Sequence, residues 1–454
     1  MTSSVADYLR TTRDDHFQEF LDLLRIPSVS TTPELAGDVH RCAEWVADRM
    51  RRAGIPTVEL VETGRHPVIT GEWISAPGKP TVLIYGHYDV QPADPLDLWE
   101  TPPFEPTIRD GRIFARGAAD MKSNLITVIQ AIEAVAKSNT VMPVNLRFFF
   151  EGEEEIGSPS APQVVESLKS RLEADGVLSC DGGMESPTQA GLTVGLKGIT
   201  GLQINLRTGA SDLHSGMYGA TVPNALQAMI KLAATFHTAD GRVAIEGFYD
   251  DVIELTEAEK AEINNYPLSE AEILKSAGVS TAWGEPGYTA LERMGARPTI
   301  DFNGLWGGFQ GEGSKTVTPC EAHLKITSRL VPDQDPATVY EMIKKHALKH
   351  APAGAEVTFV ASEWGAPAYL IPRDNVLQAT AERVLTEQYG SKPLIVRSGG
   401  SVPITATFKR ILGLETVTIG FGLPGSHIHA PNEWFREADF DRARAVYTAY
   451  LEAF

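Results

Sequence analysis

Cationic side chains are scarce in this sequence of 454 residues: 40 Lys and Arg stand against 59 Asp and Glu, a net charge of -19. That deficit excludes nucleic acid and anionic membrane as main partners, because both require a positive surface. Long apolar runs are also missing, none approaching the ~18 residues of a membrane span. The opening stretch, MTSSVADYLRTTRDDHFQEF, has no apolar core and no cleavage pattern, so no secretion signal is expected. Cysteine is rare. Cys42, Cys180 and Cys320 are odd in number and far apart, which suits a reducing, cytoplasmic setting and no disulfide framework. No GxSxG elbow occurs, which lowers a serine-hydrolase reading, and no internal repeat or low-complexity tract stands out.

What is present is ordinary globular texture, 43% hydrophobic and 22% charged. After two amphipathic helical stretches come short apolar runs alternating with helical ones: TVLIYG (81–86), MKSNLITVIQAIEAVAK (121–137), VNLRFFF (144–150) and GVLSC (176–180). ETVTIGF (415–421) supplies one more strand, and a helix follows from about Glu437. This alternation predicts an α/β domain with a mostly parallel sheet. Between these blocks GLQINLRTG (201–209) and EAHLKITSRLVP (321–332) alternate like strands wet on one face, and PATVYEMIKKHALKHA (336–351) is an amphipathic helix. Residues 250–300 read as polar helices over a surface. The expected plan is a catalytic domain in two parts, 1–196 and 367–454, around an inserted α+β lid or dimerisation domain, 197–366, with an antiparallel sheet.

Ligands in open α/β sheets bind beyond the carboxyl ends of the strands, and there this chain places its ligand-type residues. His87 and Asp89 follow the first run, Glu151, Glu153, Glu154 and Glu155 the third, and Asp181 the fourth. His427 and His429 lie in the loop after ETVTIGF, and Asp120 immediately precedes the long helix. Singly, each has an ordinary explanation: a helix N-cap for Asp120, a core imidazole for His87, a turn for Asp181, a solvated loop for the glutamates. Jointly, imidazoles and carboxylates converging on one rim form a site suited to Zn²⁺, Mn²⁺ or Co²⁺. Two carboxylates 4 Å apart repel by roughly 4 kcal/mol at an effective dielectric near 20, so cations would also offset the crowded charge of EGEEE.

In order and spacing, YGHYDVQP, ARGAADMKS, EGEEEIGS, SCDGG and HAPNE resemble the co-catalytic di-metal exopeptidases, a family that includes cytosolic non-specific dipeptidase, carnosinase, aminoacylase, acetylornithine deacetylase and succinyl-diaminopimelate desuccinylase. SDLHSGMYGA and SRLVPDQDP are most similar to its dipeptidase branch. The resemblance implies two divalent ions per subunit, Zn²⁺ or Mn²⁺. His87 and Asp181 would hold one, Glu155 and His429 the other, and Asp120 would bridge them. Asp89 would orient His87, and Glu154 would act as general base toward a hydroxide held between the ions. His214 would reach across a homodimer to the partner's oxyanion and Arg329 would bind the substrate carboxylate, with Thr316 and Ser401 near the substrate. The implied activity is hydrolysis of dipeptides. The alternatives are deacylation of N-acyl amino acids and a metal-stabilised peptide-binding protein without turnover.

The carnosinase branch has a further lid histidine near VASEWGAPAY (360–369), absent here, which weakens the case for His-containing dipeptides. GFGLPG (420–425) imitates a dinucleotide fingerprint but no helix follows it. GFQGEGSKT (308–316) has one residue too many for a phosphate loop, and His346 and His350 lack an accompanying acid base. Glu151, Glu153 and His427 are left without assigned roles.

Overall fold

The computed structural model describes residues 4–138, 141–361, 365–400 and 402–454. Its chain forms two compact units: Met1–Val194 with Ile371–Val396 and Ile404–Phe454, and Gly195–Leu370 with Arg397–Pro403.

The first unit is built on a twisted mixed sheet. Its strands run in the order Thr57–Val61, Val68–Trp73, Asn145–Glu151, Thr81–His87, Gly176–Ser179, Thr416–Thr418 and Gly191–Leu196. The four from Asn145–Glu151 to Thr416–Thr418 are mutually parallel, and the flanking pairs are antiparallel. Parallel strands are covered on both faces and therefore read as unbroken apolar runs. Phe148, Phe149 and Phe150 are accordingly all fully buried. The helix Lys122–Ser138 is buried from Lys122 to Val135, lying among Val5–Thr11, Arg13–Leu24 and the C-terminal Glu437–Glu452. By contrast, Ala36–Arg52 buries the apolar stripe Val39, Cys42, Ala43, Val46, Ala47 and Met50, the three-to-four spacing of an amphipathic helix, together with Arg49.

The second unit carries an antiparallel sheet ordered Thr299–Gly307, Glu321–Leu330, Gly198–Arg207 and Glu356–Ala361. Alternate residues of its strands face a core of Leu202, Ile204, Leu206, Leu324 and Ile326, closed by Met229 and Leu232 of Ala225–Ala233 and Ile343 of Pro336–His350. The polar 250–300 segment folds into three short helices, each opened by a reciprocal capping box: Thr256 with Glu259, Ser269 with Glu272, and Thr289 with Glu292. This unit extends beyond the expected insert by taking in Arg397–Pro403. Arg397 reaches Glu259 at 2.5 Å and Ser398 accepts from the Lys197 amide at 3.2 Å, pairings between segments about 140 and 200 residues apart that no local sequence pattern marks.

Candidate metal centre

All five residues with ligand chemistry belong to the first unit: four end or follow strands of its sheet, and Asp120 comes from the turn before Lys122–Ser138. His87 ends its strand, in parallel register with Glu151. Glu155 sits in the 3₁₀ turn Glu154–Ile156 just beyond that neighbouring strand, and Asp181 lies two residues past Gly176–Ser179. His429 occupies the long loop after Thr416–Thr418, in a left-handed backbone conformation (φ 61°). The loops after these last two strands touch through main chain. A Cβ at Gly420 would stand 2.0 Å from the carbonyl oxygen of Gly182, so glycine is required there.

Two groups of donors result, His87–Asp120–Asp181 and Asp120–Glu155–His429, with the ligand atoms of each within 4.8 Å of one another. Asp120 belongs to both. Its Oδ1 is 3.1 Å from His87 Nε2 and its Oδ2 is 3.1 Å from His429 Nε2. His429 Nε2 is also 3.1 Å from Glu155 Oε2, and His87 Nε2 is 4.0 Å from Asp181 Oδ2.

The charge balance of this pocket is abnormal. Burial, then the neighbouring charge of Asp120, pushes Asp181 up to about 7. Burial, with the charges of Asp181, Glu155 and Asp120, raises Glu154 well above the usual carboxylate range. Its hydrogen bonds to the Asp120 and Glu155 carboxylates raise His429 to about 10. Burial disfavours the charged form of His87, yet its bonds to Asp120 and Asp89 outweigh that and lift it. Burial would also raise Asp120, but the two imidazoles hold it far below its ordinary value. The protein alone thus gathers protons to offset surplus negative charge, the task a divalent cation performs in such a donor set. Imidazole nitrogens with carboxylate oxygens, one carboxylate facing both groups, fit a pair of such ions.

Around these residues a second layer fixes orientation. His87 Nδ1 donates to the carbonyl oxygen of Asp89 at 3.1 Å, with the Asp89 carboxylate 3.4 Å away, which leaves Nε2 facing the site. The Asp89 carboxylate has a further task that the sequence did not suggest. It accepts the backbone N–H groups of Glu154 at 3.3 Å and Glu155 at 3.1 Å. Gln91, which sequence reasoning missed, donates to Glu155 Oε2 at 2.9 Å and to its carbonyl oxygen at 3.1 Å. Its only advance signal is the spacing His87–Asp89–Gln91, which puts all three on one side of an extended chain.

The unassigned glutamates serve the fold. Glu151 accepts the Tyr85 and Ser158 hydroxyls at 3.0 and 2.9 Å, and burial followed by the Asp89 charge pushes it up to about 8. Glu153 accepts from Thr63, the His66 amide, and both the amide and hydroxyl of Ser160. Glu154 stands among the site's charges without joining either donor group. His427 is exposed, joins neither group, and has Nδ1 3.3 Å from the Pro431 carbonyl oxygen.

The other sequence-derived candidates lie in the second unit. His214 is exposed and pairs with Val317 across a two-stranded ladder, accepting the Gly216 amide at Nδ1. Thr316 adjoins it, its carbonyl oxygen accepting the Ser215 amide at 3.1 Å. Arg329 lies in Glu321–Leu330, opposite Thr299 and Ile199. Ser401 lies outside the described residues.

Residues 83–453 match the model of Peptidase family M20/M25/M40. The chain is 30% identical to a Cys-Gly metallodipeptidase of Schizosaccharomyces pombe, covering 97% of this chain and 95% of that protein, and 27% identical to the human Beta-Ala-His dipeptidase, covering 99% and 92%. Among solved structures, an M20 family metallo-carboxypeptidase from Sulfolobus solfataricus superposes with a TM-score of 0.86 at 33% identity, covering 96% of this chain and 98% of that one. The dipeptidase Dug1p from Saccharomyces cerevisiae gives 0.80 at 27% identity, covering 100% and 99%.

Because His87, Asp181 and His429 must shed protons to donate to a cation, metal uptake should release protons at neutral pH, and affinity should fall as the pH drops below about 10, where His429 protonates, and more steeply below about 7, where Asp181 does as well. Calorimetric titration with Mn²⁺ in buffers of different ionisation enthalpy measures the release. Each competing proton costs about tenfold in apparent affinity per pH unit. An affinity flat between pH 5 and 8 would contradict this account of the pocket.

Proposed function

Because the chain belongs to Peptidase family M20/M25/M40, we propose that it is a metallodipeptidase, hydrolysing the amide bond of dipeptides with two divalent ions, Zn²⁺ or Mn²⁺, bound per subunit. The observation that carries this reading is the Asp120 carboxylate, with one oxygen toward each of two imidazoles inside two donor groups. His87, Asp120 and Asp181 would hold one ion, and Asp120, Glu155 and His429 the other. Such a pair supplies Lewis acidity toward an amide carbonyl and lowers the pKa of water toward neutrality.

The chain's own residues do the rest. Glu154, beside but outside the donor groups, takes the proton of the attacking water on its carboxylate and delivers it to the departing amine. Asp89 holds this base in place, since one carboxylate binds the Glu154 and Glu155 amides while the same residue's carbonyl fixes the His87 ring. General base and ligands therefore share one support, which keeps them aligned through the reaction. From the second unit, Arg329 would take the substrate carboxylate with its planar fork, Thr316 and Ser401 would lie near the substrate, and His214 would stabilise the oxyanion in the partner's site of a cytoplasmic homodimer. Among the described residues no helix is long and apolar enough to cross a membrane.

A second reading, removal of C-terminal residues from longer peptides, draws on the likeness to the S. solfataricus metallo-carboxypeptidase. A third, deacylation of N-acyl amino acids, uses the same donor set. Assaying the Mn²⁺- or Zn²⁺-loaded protein on dipeptides, longer peptides and acyl amino acids, with products identified by mass, separates the three. Fastest turnover on dipeptides is expected, and preference for either other class would replace this assignment. Glu154→Gln should lower kcat by about 10²–10⁴ while leaving metal content and unfolding temperature unchanged; near-normal turnover would remove Glu154 from its role. An inactive His214→Ala variant mixed with Glu154→Gln should regain part of the activity through hybrid dimers, and mixtures that remain dead would argue against sharing between subunits.

A further inference from the structure

The bridging position of Asp120 depends on a turn, Arg116–Asp120, that belongs to no helix or strand. What shapes that turn comes from the far end of the sequence. Glu433, 1% exposed, places both carboxylate oxygens inside it. Oε1 accepts the amides of Ala119 at 2.8 Å and Asp120 at 3.0 Å, while Oε2 accepts the Gly117 amide at 2.9 Å and Arg116 Nη1 at 2.7 Å. Arg116, also 1% exposed, spends its other terminal nitrogen on the Pro92 carbonyl at 3.0 Å.

We propose that Glu433 is a positioning residue of the metal centre, presetting Asp120 so that its two oxygens face the two donor groups. The inference rests on the reading of Asp120 as a shared metal ligand. Three features favour this over plain support of the fold. All four donors come from five consecutive residues ending at Asp120, so the carboxylate organises one turn and little else. Its direct ion-pair partner is Arg116 at 2.7 Å, with the buried Lys122 also feeling its charge, and a buried ion pair of that kind is a poor way to gain stability compared with apolar packing of equal volume. Glu433 also lies four residues beyond His429 in the same loop, so the segment that supplies one donor clamps the residue shared with the other group. Partners that orient metal ligands in this way commonly change affinity by about 10–100-fold when replaced.

The test is Glu433→Gln, nearly identical in shape, which turns one acceptor oxygen into an NH₂ group facing donors. Metal-free wild-type and variant are titrated with Co²⁺, read by calorimetry and by the visible absorption of the bound ion. Wild-type should take up two equivalents. The variant should bind at least one of them about 10–100-fold more weakly, with an altered Co²⁺ spectrum, which a loss of fold stability alone would not produce. Equal affinities and identical spectra would overturn the proposal while leaving the metal centre intact. A wild-type protein that binds no Co²⁺ and cleaves no dipeptide would overturn the metal centre itself, and this inference with it. If the variant fails to fold, hydrogen exchange on metal-free wild-type decides. The amides of Gly117, Ala119 and Asp120 should be protected, and exchange at open-loop rates would refute the clamp.

Discussion

The structure depends on one carboxylate shared between two imidazoles. Asp120 stands 3.1 Å from His87 on one side and 3.1 Å from His429 on the other, and those histidines lie 342 positions apart in the chain, counting from residue 87 to residue 429. Two anionic oxygens on one carbon cannot be driven apart, so whatever each side binds must lie close to the other. The parallel sheet makes that arrangement attainable. Its strands end at a common edge, and each loop beyond them contributes one or two polar groups to the same small volume.

Concentrating negative charge in this way is costly in a folded protein, and the surroundings are organised to bear it. Backbone amides, the least titratable donors available, carry much of the load: Asp89 takes two, Glu153 two and Glu433 three. Hydroxyls of Tyr85, Ser158, Thr63 and Ser160 take more. Asp120, Glu154, Glu155 and Asp181 remain gathered at the pocket, where a cation can settle. The acidic run EGEEE therefore divides by neighbour rather than by charge. Glu151 and Glu153 are pinned into the fold, and Glu154 and Glu155 are turned toward the site.

That division explains what the sequence could and could not disclose. Strands buried on both faces leave apolar runs, so VNLRFFF and TVLIYG were legible, and the ligand-type residues at their ends stood out against them. The helices of residues 250–300 were legible through their polar, Glu-rich texture, and the capping boxes Thr256–Glu259, Ser269–Glu272 and Thr289–Glu292 supply the local reason. The supporting roles of Glu151, Glu153, Gln91 and Glu433 were not legible, because their partners are main-chain groups or distant hydroxyls that no spacing marks. The same holds for Arg397–Pro403, whose place in the second unit is set by Glu259 and Lys197.

The contact between Gly182 and Gly420 sets a lower limit of an unusual kind. Where two loops meet through main-chain atoms, their separation is governed by bonds that every amino acid shares, and no smaller residue exists to bring them nearer. A side chain at Gly420 can only wedge the loop leading to His429 away from the Asp181 loop. In this protein that spacing is already at its minimum, and variation there runs in one direction.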